Sequence, residues 1–165
     1  MVECTRGMIY IHSAAAALCP HVEWAIGGAL GRTVHCNWAR QGAQPGTLRT
    51  ELGWDGSQDS CAALVSALMR CRELRFEVTC DAGAGMGERY SYTPRLGVFH
   101  ALTDESGDIM VGENRLRAAV AREALGGRSL TEAIADLLGT PWDEELEIFR
   151  RADDGDSVRW LSRAV

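Results

Sequence analysis

The chain opens with an apolar run that leads directly into an amphipathic segment, and we expect the rest of the fold to be built around it. Residues 8–11 are apolar at every position, which is typical of a central strand covered on both faces. His12 and Ser13 are expected to end this strand. Pro20 suits the first turn of a helix. A core-facing stripe then recurs at helical spacing, at Val22, Ala25, Ile26, Ala29 and Leu30.

The opposite side of this helix carries Trp24 together with Gly27 and Gly28. Each glycine inside a helix costs roughly 1 kcal/mol relative to alanine, so we expect another backbone to approach this side closely. Tryptophan and arginine are common anchors of protein interfaces. Trp24, Gly27 and Gly28 are therefore candidate interface residues, together with Arg159 and Trp160 in the tail. The alternative is that the protein's own C-terminal helices bury this side.

The middle of the chain alternates between strand and helix patterns. Apolar and polar residues alternate at period two in 33–38, 47–54 and 74–80, and helical spacing recurs in 59–72. With the first strand and helix, this gives the order βαββαβ, which is that of a ferredoxin-like fold with both helices on one face of the sheet. Further strands are predicted at 90–92, 96–102 and 109–111.

The last third of the chain is mostly helical. One helix is centred on Leu116 and Val120, a second follows a capping box formed by Ser129 and Glu132, and a third begins near 140. The acidic residues of 143–147 are interpreted as the solvated side of that helix, and 158–163 as a closing strand or arm. We therefore predict one α+β domain over 1–165, with a ferredoxin-like mixed sheet, extra strands and a helical C-terminal part.

Composition excludes several classes of function. The net charge is −6, with 17 Lys and Arg against 23 Asp and Glu, whereas nucleic-acid binders need clustered positive charge. Anionic membrane surfaces are disfavoured for the same reason, and no run approaches the roughly 20 apolar residues of a membrane span. The cysteines form no CxxC pair, so we expect reduced thiols in a cytoplasmic protein. They are Cys4, Cys19, Cys36, Cys61, Cys71 and Cys80.

Several longer motifs run along the chain: CPHVEWA at 19–25, PGTLR at 45–49, TPRLGVFHA at 93–101, GDIMVGENRLR at 107–117, WDEELEIFR at 142–150 and VRWLSR at 158–163. Together they resemble a family of actinobacterial proteins of this length, known only as a domain of unknown function. The resemblance spans nearly the whole chain. It implies an actinobacterial, cytoplasmic protein and supplies no activity, cofactor or catalytic residue.

Four residues could support chemistry. Cys19 precedes a predicted helix, where the N-terminus can lower a thiol pKa, and His12, His21 and His100 could supply a base. No metal site is predicted, because the histidines and cysteines lack ligand spacing. The glycine-rich run 82–87 is interpreted as a hairpin loop, since no helix and no GK[ST] follow it. We expect no cofactor.

No complete catalytic motif is present, so the leading hypothesis is a non-enzymatic protein-binding or regulatory domain. Its partner would be another protein or a second copy of the chain. The competing hypothesis is an enzyme or small-ligand binder, which requires His12, Cys19, His21 and His100 to share one concave site.

Overall fold

The structure is a computed structural model, and it describes residues 5–81 and 85–152. Seven strands and five helices are present in this part of the chain. In chain order they are β1 (Thr5–Ala15), α1 (Cys19–Leu30), β2 (Ala39–Arg40), β3 (Thr47–Gly56), α2 (Ser60–Leu68), β4 (Arg75–Cys80), β5 (Gly87–Thr93), β6 (Gly97–Thr103), β7 (Ile109–Met110), α3 (Glu113–Ala124), α4 (Leu130–Leu137) and α5 (Thr140–Arg151).

The strands form one sheet in the order β2-β3-β1-β4-β5-β6-β7. Every pairing in the described sheet is antiparallel, so the expectation of a mixed sheet is wrong. Strands β1 and β2 do run in the same direction, but β3 lies between them and no parallel pair forms. The structure confirms an α+β fold, whereas the ferredoxin-like assignment stays a prediction.

Helices α1 and α2 pack against each other, and both lie on one side of the sheet. Their apolar stripes and the inward side chains of the central strands form one continuous core. The core includes Val22, Ile26, Leu64 and Leu68 of the helices with Ile9, Ile11, Trp54, Phe76 and Val78 of the strands. Strand β4 shows the expected period of two, with Phe76, Val78 and Cys80 on this side.

Strand β1 is longer than predicted. It continues through His12 and Ser13 as far as Ala15, with a break in register between Ile11 and the residues that follow. The prediction that His12 and Ser13 end the strand is therefore wrong. Both residues lie inside the strand and are buried. His12 has a charged partner across the sheet, which permits a polar side chain in a central strand.

Residues 33–38 form no regular strand, although their alternation predicted one. Glu23 of α1 explains the difference, because its carboxylate accepts hydrogen bonds from the Cys36 backbone N–H and from Trp38 Nε1, both at 2.9 Å. A side chain of the helix therefore replaces a neighbouring strand as hydrogen-bond partner. Cys36 and Trp38 still pack against the core, so the alternation correctly predicts which residues point inward.

Helix α5 packs on the other side of the sheet, where it contacts β1 and β5. The ring of Trp142 packs against Phe99 with centroids 5.2 Å apart, and its Nε1 donates to the Gly97 carbonyl at 2.9 Å. The predicted capping box of α4 is confirmed, since Ser129 and Glu132 bond each other reciprocally. The predicted strand at 158–163 lies outside the described residues.

Candidate protein-binding surface

On the side of the sheet that carries α1 and α2, burial falls steeply beyond β5. Register places Ile11, Phe76, Tyr92 and Val98 in one row across β1, β4, β5 and β6. The exposed fractions along this row are 1%, 0%, 7% and 41%. The two helices therefore cover the sheet as far as β5 and leave β6 and β7 accessible to solvent.

The uncovered surface carries several exposed apolar side chains. Leu102 is 41% exposed and its partner on β7, Met110, is 48% exposed. Tyr90 lies at the border with the core and is partly buried. We call this surface the open face, and it consists of Glu88, Tyr90, Val98, His100, Leu102 and Met110.

Strand β6 has a sequence suited to burial on both sides. Phe99 and Ala101 point toward α5 and are buried, whereas Val98 and Leu102 alternate with them on the open face. Antiparallel strands with one solvated side normally alternate apolar with polar residues. An apolar residue on each side indicates that the open side is suited to a cover that the described residues do not supply.

A polar cluster lies within the open face. Glu88 Oε2 accepts a hydrogen bond from the Tyr90 hydroxyl at 2.8 Å and lies 2.9 Å from His100 Nε2. The Tyr90 and His100 rings stack with centroids 4.4 Å apart. Burial, followed by the nearby Glu88, raises the pKa of Tyr90, so its hydroxyl remains a donor at neutral pH. Glu88 is 31% exposed, which leaves its carboxylate accessible to a ligand.

Three more carboxylates follow the open face at one end. Asp104, Glu105 and Asp108 lie in the turn between β6 and β7, which begins two residues after Leu102. Asp104 Oδ1 organises the turn by accepting from the backbone N–H groups of Ser106 and Asp108. We call these three carboxylates the acidic rim. They give the end of the open face nearest Glu88 a negative charge.

The side beneath α5 contains a buried ion cluster. Glu77 of β4 is 1% exposed, and its carboxylate lies 2.7 Å from His12 Nε2, 2.5 Å from Arg150 Nη2 and 3.2 Å from Arg89 Nη2. Arg150 is also bonded to Asp143 at 3.0 Å. These five side chains join β1, β4 and β5 to α5.

The ion cluster keeps Glu77 ionised. Burial alone would raise the pKa of this carboxyl, but the hydrogen bond from His12 and the charges of His12, Arg150 and Arg89 outweigh it, so the pKa lies well below its usual range. Arg150 shows the reciprocal effect, since Glu77 raises its pKa against the opposing effect of burial. A buried charge is tolerated only when paired in this way.

A pocket of about 120 Å³ opens beside the ion cluster, next to strands β1, β2 and β3. Burial, with Glu51 and Glu77 nearby, raises the pKa of Tyr10 to about 12, so Tyr10 is a neutral phenol there. The polar residues that line this pocket are Tyr10, His12, Asn37, Arg49, Thr50, Glu51 and Arg150.

The predicted catalytic candidates do not come together. His12 belongs to the ion cluster, whereas His100 lies on the open face, on the opposite side of the sheet. Strands β4 and β5 separate them, a distance of about 14 Å along the sheet. His21 is exposed on α1. The competing hypothesis of one shared site for all four residues gains no support from this arrangement.

Cys19 is not the activated thiol that its position predicts. It is 6% exposed, and its thiol lies 3.7 Å from the Ala15 carbonyl. Burial, followed by the charge of Glu23, raises the pKa of this thiol. The predicted lowering of its pKa is therefore wrong, because loss of solvent outweighs the effect of the helix N-terminus.

Trp24 is 77% exposed. The alternative that the protein's own C-terminal helices bury it is therefore wrong for the helices that the structure describes. The expected close approach is found at Gly27, where an added Cβ would lie 2.7 Å from the Arg32 carbonyl oxygen of the same chain. At Gly28 nothing lies within 4 Å of that position. Arg159 and Trp160 lie outside the described residues.

Residues 5–81 and 85–152 contain neither a metal-binding cluster nor a membrane-spanning helix. No group of three or more His, Cys, Asp or Glu side chains in these ranges could hold a metal ion. No described helix is long and apolar enough to cross a membrane.

Sequence reasoning missed both main features. Asp143 was assigned to a solvated helix side, whereas it pairs with Arg89 and Arg150. The spacing of seven between Asp143 and Arg150, which places both on one side of α5, is the signal that could have shown this. For the open face the signal is the apolar residue on each side of β6.

Comparison with known proteins gives one family. The family model described as Protein of unknown function (DUF3145) matches residues 8–163, which is nearly the whole chain. No curated protein matches, and no solved structure matches.

Proposed function

We propose that this chain, which belongs to the family described as Protein of unknown function (DUF3145), is a protein-binding or regulatory domain whose binding surface is the open face. The observation that carries this proposal is the rise in exposed fraction from 7% at Tyr92 to 41% at Val98 within one row of the sheet. Val98, Leu102 and Met110 lie on one side of the sheet next to the polar Glu88 and His100, and exposed apolar surface beside polar residues is typical of interaction sites in soluble proteins. A bound partner would continue the cover that α1 and α2 begin.

Burial of the open face supplies a driving force for binding. Val98 and Leu102 each retain about two fifths of their exposure, and Met110 retains about half. Burying an apolar side chain of this size fully is worth about 1.5–3 kcal/mol. Burial of the remaining exposed area of these three side chains would therefore contribute part of the binding free energy of a larger interface.

Native mass spectrometry after mild cross-linking in the producing cells tests this function. The double variant Val98→Ser/Leu102→Ser removes two apolar side chains without changing charge, and Trp24→Ser is the matched control on α1. We expect a protein adduct with the wild type and with Trp24→Ser, and its loss in the double variant. If the adduct is retained in the double variant and lost in Trp24→Ser, the binding surface lies on α1 and not on the open face.

A second copy of the chain is one partner that this experiment identifies, because an adduct of twice the chain mass reports a homodimer. We keep Trp24, Gly27 and Gly28 as the alternative interface, supported by the exposure of Trp24. A chain with no protein adduct in any sample would contradict the proposed function.

The pocket beside His12 supports a second candidate function, the binding of a small molecule. His12 is 8% exposed, and Glu77 fixes its orientation through Nε2. A carboxylate that orients a histidine at a pocket is a frequent arrangement in ligand sites. Extra mass below about 1 kDa in the native spectrum, lost in His12→Phe, would support this candidate over protein binding.

We also propose a cytoplasmic location and an actinobacterial source. The free thiols of the described cysteines support the first proposal, because disulfides are rare in reducing compartments. The motifs quoted above support the second. Fractionation of producing cells tests the location, and recovery of the chain outside the cytoplasm would contradict it.

A further inference from the structure

We infer, building on the function proposed above, that the partner segment is a basic amphipathic helix. In this arrangement its apolar side chains cover Val98, Leu102 and Met110, and one of its Lys or Arg side chains binds Glu88. The helix lies beside α2 and extends the helical layer over β6 and β7.

The dimensions of the open face suit one helix. From β5 to β7 the sheet spans two strand separations, or about 10 Å. This is the diameter of an α-helix with its side chains. Since α1 and α2 already cover the strands up to β5, a third helix completes the layer by the packing that the core already uses.

The polar cluster favours a cation from the partner. Both Tyr90 and His100 contact Glu88 through Oε2, and Oε1 has no hydrogen bond or ion pair with any described residue. A Lys or Arg head group can reach this oxygen, because Glu88 is 31% exposed.

The acidic rim adds attraction at longer range. Asp104, Glu105 and Asp108 lie at the end of the open face that carries Glu88. Their fields add to that of Glu88 and favour a segment with several positive charges over a neutral or acidic one. Because Glu105 and Asp108 are exposed, this part of the attraction should weaken as salt rises.

Three designed peptides of 18 residues test the inference on the full-length chain. All share leucines at helical spacing on one side, and the other side carries arginine, glutamine or glutamate. Isothermal titration calorimetry measures each affinity for the wild type, Glu88→Gln, Val98→Ser/Leu102→Ser and the control Asp55→Asn. Asp55 is an exposed carboxylate on β3, remote from the open face.

The arginine peptide should bind the wild type and Asp55→Asn at least tenfold more tightly than the glutamine peptide does. Glu88→Gln should weaken the arginine peptide about tenfold, the value of one hydrogen bond to a charged group, and leave the glutamine peptide unchanged. The double variant should weaken both peptides. The glutamate peptide should bind least.

Two results would overturn the inference in different ways. Equal binding of all three peptides, abolished by Val98→Ser/Leu102→Ser, would show that the open face binds helices without a charge preference, and the proposed function would stand. Arginine-peptide binding that neither Glu88→Gln nor the double variant reduces would be unspecific attraction to an acidic protein. In that case the helical partner is wrong, and the cross-linking experiment alone decides the proposed function.

Discussion

Arg150 holds α5 against the sheet through an ion pair with the buried carboxylate of Glu77. Replacing it by methionine leaves Glu77 buried without its closest cationic partner, and breaking a buried pair in this way costs about 3–5 kcal/mol. The neighbouring Arg151 is exposed and pairs with Glu147 at the surface, so Arg151→Met should cost less than about 1 kcal/mol. Urea unfolding of the two variants measures the difference, and equal losses would contradict the role of the ion cluster.

Glu77 also predicts how stability changes with acid. Its pKa is lowered in the folded state, whereas in the unfolded chain it has its ordinary value of about 4.3. Above that value both states are ionised and the stabilisation is complete. As the pH falls below about 4.3, the unfolded state takes up a proton that the folded state does not, and the free energy of unfolding decreases.

Urea unfolding from about pH 3 to about pH 6 checks this dependence. Glu77→Gln cannot titrate at this position, so its loss of stability across the range should be smaller than that of the wild type. The same slope in both proteins would show that other carboxyls cause the acid sensitivity.

At the scale of single elements, the two adjacent glycines of α1 should differ in their effect on the free energy of unfolding. Gly28 has open space where a side chain would lie, so Gly28→Ala should stabilise the protein by about 1 kcal/mol through helix propensity. At Gly27 an added Cβ would lie 2.7 Å from the Arg32 carbonyl oxygen, and the backbone must move. Gly27→Ala should therefore be about 1–3 kcal/mol less stable than Gly28→Ala. Thermal unfolding compares the two, and an equal gain would contradict this packing.

The elements that could be predicted are those in which local pattern and packing agree. The stripe of α1, the Ser129 capping box and the start of α5 at Thr140 were all evident from spacing. The errors came where a distant side chain decides the structure. Glu23 satisfies the backbone at Cys36, and Glu77 allows His12 to remain inside β1.

At the scale of the whole molecule, seven strands are covered unequally on their two sides. Helix α5 and the ion cluster occupy one side, while α1 and α2 stop at β5 on the other. The sequence shows that β6 has apolar residues on both sides, with Val98 and Leu102 on one and Phe99 and Ala101 on the other. This pattern identifies the strand that carries the candidate site. It does not indicate which side lacks a cover, because that depends on how far α2 reaches across the sheet.

Photo-cross-linking from two positions tests the central claim most directly. A benzoylphenylalanine is placed at 102 on the open face or at 24 on α1, and the chain is irradiated in the cells that produce it. The account predicts a protein adduct from position 102 and none, or a much weaker one, from position 24. An adduct from position 24 with none from position 102 would contradict the claim that the open face is the binding surface.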